Sequence, residues 1–220
     1  MSILKNKYSF VIFDWDGTLM DSTGRIISAM QVSASQLGLP VPSIDNVKSI
    51  IGLSMQSVMD KLFPTTDIKI RDRFLEEYRY QYVEADSTPT PMFDGVVEHL
   101  LWLKSRNVKI AVATGKARAG LNGVLNEVNL FDFFDFSICA DEAKSKPHPQ
   151  MVFNLIESAA STKAETLVVG DSLHDINMAN NAGVDSVAVT SGANYQHELN
   201  QANPKAIFDS VTSIQEWLHD

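Results

Sequence analysis

Phe10-Val-Ile-Phe-Asp-Trp-Asp-Gly-Thr-Leu19 decides the architecture of this chain. Its uncharged Phe-Val-Ile-Phe block predicts a strand buried on both faces, the pattern of a central strand in a parallel sheet. The block ends in two carboxylates one residue apart, Asp14 and Asp16, followed by Gly17 and Thr18. Taking paired acids out of water is costly unless a cation or hydrogen bonds compensate. Open α/β sheets bind ligands beyond the carboxyl ends of their strands, so the pair lies where a site is expected. From these residues alone two chemistries stay open. Either the pair binds a hard cation such as Mg²⁺ through oxygen, or one acid attacks an electrophile while the other moves a proton.

Further strand-like runs follow at Lys109–Ala113, Phe136–Ala140, Thr166–Val169 and Ser186–Thr190, with the first strand set at Ser9–Phe13. Each later run meets a polar or glycine-bearing turn: Thr114-Gly115, Asp141-Glu142, Gly170-Asp171 and Ser191-Gly192. Between them, Gly95–Lys104 and Pro149–Ala160 carry apolar residues at helical spacing. Strands alternating with helices predict an α/β fold, a doubly wound parallel sheet of Rossmann type.

Residues 20–86 break this rhythm. Ile27, Met30, Ala34 and Leu37 form one helical stripe that stops at Gly38, with Pro40 beyond. Met55–Leu62 and Ile70–Ala85 also suit helices, and Asp86-Ser-Thr-Pro-Thr-Pro-Met92 reads as a hinge stiffened by two prolines. The expected organisation is a core of residues 1–19 and 87–220 with a helical insertion, residues 20–86, able to cover the site.

Bulk properties narrow the function. A 220-residue chain with 45% hydrophobic and 20% charged residues suits a soluble domain with a small insertion. The net charge of -9 speaks against a nucleic-acid surface, yet not against a small anionic substrate held by local cations. Cys139 is the single cysteine and reads as a small core residue in a reducing compartment. Met1–Tyr8 lacks the pattern of a secretory signal, and no apolar run approaches the ~20 residues that cross a bilayer. A cytoplasmic protein with no membrane partner is expected, as monomer or homodimer.

Three more clusters converge on the acid pair. Val112-Ala-Thr-Gly-Lys116 places the Thr114 hydroxyl and the Gly115 amide where they suit a phosphate oxygen. The plainer reading makes Thr114 the cap of the next helix, and both can hold. In Lys144-Ser-Lys-Pro-His-Pro149, the prolines stiffen the loop around Lys146, whose ammonium suits a phosphoryl group and restrains neighbouring carboxylates. Lys144 reads as solvated and His148 as a loop or packing residue. In Leu167-Val-Val-Gly-Asp-Ser-Leu-His-Asp175, Asp171 and Asp175 fall on one face if helix begins after Gly170. Plainly read, Asp171 or Ser172 only caps a helix at Asn177–Ala182, with His174 exposed.

Taken together, Asp14-x-Asp16-Gly-Thr-Leu, Thr114, Lys146-Pro147 and Gly170-Asp171-Ser-x-x-Asp175 resemble the haloacid dehalogenase superfamily of phosphotransferases over nearly the whole chain. The insertion resembles the small cap of its phosphoglycolate phosphatase-like members, a looser likeness of length and layout. The resemblance implies Asp14 as nucleophile and Asp16 as the acid and base. It implies Mg²⁺ held by Asp14, the backbone carbonyl of Asp16 and Asp171, with Asp175 as ligand or orienting group. Thr114, Gly115 and Lys146 would hold the phosphoryl oxygens.

The expected function is a Mg²⁺-dependent phosphatase of a small phosphorylated metabolite, of phosphoglycolate or sugar-phosphate type, acting through an aspartyl-phosphate. Its nearest rival, a β-phosphoglucomutase-type phosphomutase, differs in how the cap excludes water. Dehalogenation is disfavoured by the second acid, Asp16. A Schiff-base hydrolase would need a cap lysine, but Lys48 and Lys61 read as surface residues. The non-enzyme alternatives are a phosphoacceptor module, which would be shorter and lack the insertion, and a pseudoenzyme, which would lack a motif residue. Arg25, Gly52, Ser54 and Gln56 are the cap residues expected to face the site.

Overall fold

Phe10–Phe13 form strand β1, and all four side chains are buried. In the computed structural model, which describes residues 7–219, alternate residues of β1 enter different cores. Val11 and Phe13 join one apolar cluster, while Phe10 and Ile12 join another on the opposite face. That two-residue alternation is the pleat of a strand covered on both sides. Burying such a side chain contributes about 1.5–3 kcal/mol, so this short segment anchors both layers. The leader reading for Met1–Tyr8 falls largely on residues 1–6, which lie outside the described residues.

The other strands are β2 (Lys109–Ala113), β3 (Phe136–Ile138), β4 (Thr166–Gly170), β5 (Asp185–Val189) and β6 (Ala206–Phe208). All pairings are parallel, in the order β3-β2-β1-β4-β5-β6. This is the doubly wound order, and its ligand crevice lies where the strand sequence reverses around β1. One face is covered by α5 (Val96–Lys104) and α6 (Arg118–Glu127) through Val96, Leu100, Leu121 and Leu125. The other is covered by α7 (Gln150–Ser158) and α8 (Leu173–Ala182) through Met151, Leu155, Met178 and Ala182. Cys139 is fully buried in the first core, and burial pushes its thiol up to about 12, as a packing residue requires.

The segment after β1 is helical: α1 (Thr23–Gln36), α2 (Ile44–Lys48), α3 (Met55–Leu62) and α4 (Ile68–Tyr80), the last running into a π-helical turn at Gln81–Ala85. These helices share a core of their own, with Met30, Val47, Met59 and Phe74 at its centre. Ala193, from the loop after β5, joins that core and ties it to the sheet. The two connecting strands run side by side: Asp21 N–H donates to the Pro91 carbonyl at 2.8 Å, and Phe93 N–H to Leu19 at 3.0 Å.

Several expected boundaries moved. The third strand stops at Ile138, two residues early, and the last helix of the fourth cluster starts at Leu173 rather than Asn177. Ser172 accepts from the Asp175 N–H, and Asp175 reciprocates on the Ser172 N–H, a capping box that extends the helix towards the strand. Strand β6 and helix α2, three and five residues long, are too short to leave a periodic signal.

Candidate active site

Three adjacent central strands deliver the site. Asp14 follows β1, with its N–H bound to the Val169 carbonyl at 2.9 Å; Asp171 follows β4, and Thr114 follows β2. Asp175 sits in the first turn of α8, and Lys146 comes from the loop between β3 and α7. The Lys146–Pro147 peptide is cis. All five residues are buried, Lys146 to 2% exposure.

Lys146 ties the acids together. Its Nζ lies 2.6 Å from Asp14 Oδ1 and 2.6 Å from Asp175 Oδ1. Asp175 Oδ2 accepts from Ser172 Oγ at 2.6 Å. Asp171 accepts from Thr18 Oγ1 at 2.6 Å on one oxygen and from the Ala193 N–H at 2.7 Å on the other. Asp14 Oδ2 is fully buried and has no hydrogen-bond partner.

The charge balance is therefore incomplete. Three carboxylates, Asp14, Asp171 and Asp175, bring oxygens within 4.8 Å of one another, against a single ammonium. Burial raises Asp14 well above the usual carboxylate range; Lys146 opposes this, while Asp175 and Asp171 add to it. Burial, then Asp175, pushes Asp171 up to about 7 despite its bonds from Thr18 and Ala193. Lys146 is held firmly charged, because Asp14 and Asp175 together outweigh the effect of its burial. An all-oxygen donor set with an orphaned buried oxygen and excess negative charge fits a hard divalent cation. Asp14, Asp171 and Asp175 are the side chains that could hold one.

The Asp16 carboxylate stands apart from that cluster. Ser22 Oγ donates to its Oδ1 at 2.5 Å, and Lys116 Nζ lies 2.9 Å from the same atom. The expected metal role of Asp16 is therefore not one its carboxylate shares with Asp14, Asp171 and Asp175. Thr114 is fully buried, and its Oγ1 accepts the Lys116 N–H at 3.2 Å. It does not cap the following helix, which opens at Arg118 with Ala117 in the cap position.

The helical segment reaches the site through Ile51–Ser54. A β-carbon on Gly115 would stand 2.6 Å from the Gly52 carbonyl, so glycine alone permits this approach. Ser54 N–H donates to Ser145 Oγ at 2.9 Å, next to Lys146. Gly52 faces the acids, and Arg25 lies over the Tyr82 ring with its Nε bound to the Thr88 carbonyl. Gln56 does not face the site: it is exposed and bonded to Asp60 on the outer surface of α3. His174 is half-buried rather than exposed, its Nε2 2.9 Å from the Ser49 carbonyl. Lys144 and His148 are exposed loop residues. Ser22, Ser145, Lys116 and Tyr82 carried no motif signal of their own; only the Thr-Gly-Lys run hinted at Lys116.

Comparison with known proteins gives the family. Residues 11–189 match the model of the haloacid dehalogenase-like hydrolase family. The chain is 32% identical to the probable phosphatase IndB of Dickeya dadantii, covering 93% of this chain and 90% of that protein. It is 28% identical to the phosphoglycolate phosphatase of Pseudomonas savastanoi pv. phaseolicola, covering 93% and 77%. A haloacid dehalogenase-like hydrolase structure from Bacteroides fragilis superposes with a TM-score of 0.86 at 25% identity, covering 94% and 99%. The chain belongs to the haloacid dehalogenase-like hydrolase family and is an enzyme of it.

Proposed function

We propose that this hydrolase, a phosphoric monoester hydrolase by its relatives, is a Mg²⁺-dependent phosphatase of a small phosphorylated metabolite, of phosphoglycolate or sugar-phosphate type. The observation that carries the reading is the joining of Asp14 to Asp175 by the Lys146 ammonium beside Asp171. Asp14 attacks phosphorus; its oxygen–phosphorus bond forms as the ester P–O bond breaks. Asp16 gives a proton to the departing oxygen, then takes one from the water that cleaves the aspartyl-phosphate and frees Asp14. Lys146, Thr114 and the Gly115 amide hold the phosphoryl oxygens, and Lys146 also keeps the acids from repelling an anionic substrate. A cation bound by Asp14, Asp171, the Asp16 carbonyl and Asp175 would supply further charge neutralisation at the transferring group.

Residues 20–86 act as a cap over a core of 1–19 and 87–220, supported by their separate apolar cluster and the paired connections at Asp21 and Pro91. The cap chooses the substrate and excludes water on closing. Among the described residues no helix is long and apolar enough to cross a membrane, and we place the protein in the cytoplasm, as monomer or homodimer. The test is phosphate release from p-nitrophenyl phosphate with Mg²⁺. Wild type releases phosphate and Asp14→Asn does not; an active, folded Asp14→Asn protein overturns the assignment.

A further inference from the structure

Asp16 is gripped by one oxygen only. Ser22 and Lys116 both engage Oδ1, whereas among the described residues Oδ2 accepts no hydrogen bond. The Asp16 side chain keeps 8% exposure, against 2% for Asp14. Lys116 is itself pinned at both ends. Its backbone N–H is held by Thr114 Oγ1, and its carbonyl accepts the Ala140 N–H at 2.9 Å. Its ammonium lies 3.2 Å from the Tyr82 hydroxyl and 4.7 Å from the centroid of that ring.

Tyr82 belongs to the π-helical turn that ends the insertion, while Ser22 precedes the helix that begins it. Tyr82 is stiffened by Tyr78, whose ring centroid is 6.0 Å away, and by the Arg25 guanidinium at 5.8 Å. Lys146 is already committed to Asp14 and Asp175, whereas the half-buried Lys116 is a cation that the proposed reaction does not use.

We infer that Lys116 and Tyr82 are positioning residues for proton transfer: they fix Asp16 by Oδ1 so that its proton travels on Oδ2. The inference rests on the phosphatase reading. With the Ser22 hydroxyl donating to Oδ1 and the Lys116 ammonium 2.9 Å from the same atom, a proton carried by Asp16 sits on Oδ2. In the first half-reaction it leaves Oδ2 for the ester oxygen, which also takes the electron pair of the breaking P–O bond. In the second, Oδ2 receives a proton from water as the water oxygen bonds phosphorus and the Asp14–phosphorus bond breaks. A carboxylate free to rotate would lose this alignment, and small misplacements of catalytic groups are expensive in rate.

The experiment compares kcat/KM, which reports formation of the aspartyl-phosphate, for an alkyl and an aryl phosphate. An alkyl leaving group needs the proton; p-nitrophenolate departs without it. Lys116→Met is expected to lower the alkyl-to-aryl ratio about tenfold, Tyr82→Phe by less, and Lys116→Arg to recover most of the loss. An unchanged ratio overturns the inference, whether both esters slow equally, as for a lysine that only binds substrate, or neither does. If Lys116→Met fails to fold, Tyr82→Phe, which keeps the ring, decides by the same ratio. Wild-type protein without phosphate release removes the phosphatase reading and this inference with it; an active wild type with an unchanged ratio removes this inference alone.

Discussion

A β-carbon on Gly17 would stand 2.5 Å from Asp171 Oδ2, so the turn after the first acid pair is packed directly against the second strand-end acid. Gly17 also has φ +81, a conformation that L side chains rarely adopt. Gly17→Ala is therefore expected to cost about 2 kcal/mol or more in denaturant unfolding, and to lower phosphate release by displacing Asp171. Equal stability and activity in the variant would show that the turn has room the structure denies it.

Lys146 offers a second test. Replacing it by Met removes the one ammonium among Asp14, Asp171 and Asp175. Breaking a buried pair leaves an uncompensated charge and costs about 3–5 kcal/mol. Lys146→Met should unfold at lower denaturant in chelator and lose at least about a hundredfold in activity. A variant of wild-type activity would mean that the lysine is only a strut.

Metal binding can be read without turnover. A cation held by the folded site alone stabilises it by mass action. Mg²⁺ is expected to raise the melting temperature of wild type by several degrees, with Asp171→Asn responding far less. No shift at any Mg²⁺ concentration, or an equal shift in the variant, would contradict the assigned ligands.

His99 sets a pH dependence away from the site. It is 2% exposed, packed edge-on to Phe13 and stacked on Trp102, and neither ring nitrogen has a hydrogen-bond partner of good geometry. Burial pulls its pKa down to about 4, with Gln215 opposing weakly. Below the unfolded value of about 6.5 the unfolded chain binds the proton more readily, so stability falls as pH drops from there towards 4 and then levels off. The loss approaches about 3 kcal/mol. In unfolding titrations His99→Phe should flatten this part of the curve relative to wild type; an unchanged slope would exclude His99 as its source.

Much of the fold was legible because the buried strands are uniform in character. The boundaries of Lys109–Ala113 and Met55–Leu62 follow from sequence, since an apolar run marks one and an apolar stripe the other. Asp14, Thr114 and Asp171 are legible because each follows a strand, and the sheet order brings those strand ends together; Lys146 is legible from the proline-flanked loop before α7. What escaped depends on contacts across the chain. Lys116 meets Tyr82 only because the insertion folds back, 34 residues away in sequence. His174 is drawn inward by a carbonyl 125 residues distant. Gln56 turns away from the site because its partner Asp60 lies one helical turn along the outer face. Thr114 lost its capping role because two further residues precede the cap position at Ala117.

The central claim is that Asp14 carries the phosphoryl group during turnover. Acid-quenching the enzyme with Mg²⁺ and a phosphate monoester, reducing with borohydride and sequencing the peptides by mass spectrometry tests it most directly. Modification of Asp14, dependent on substrate and absent from Asp14→Asn, is the predicted result. Steady phosphate release with Asp14 unmodified at every quench time would contradict the account.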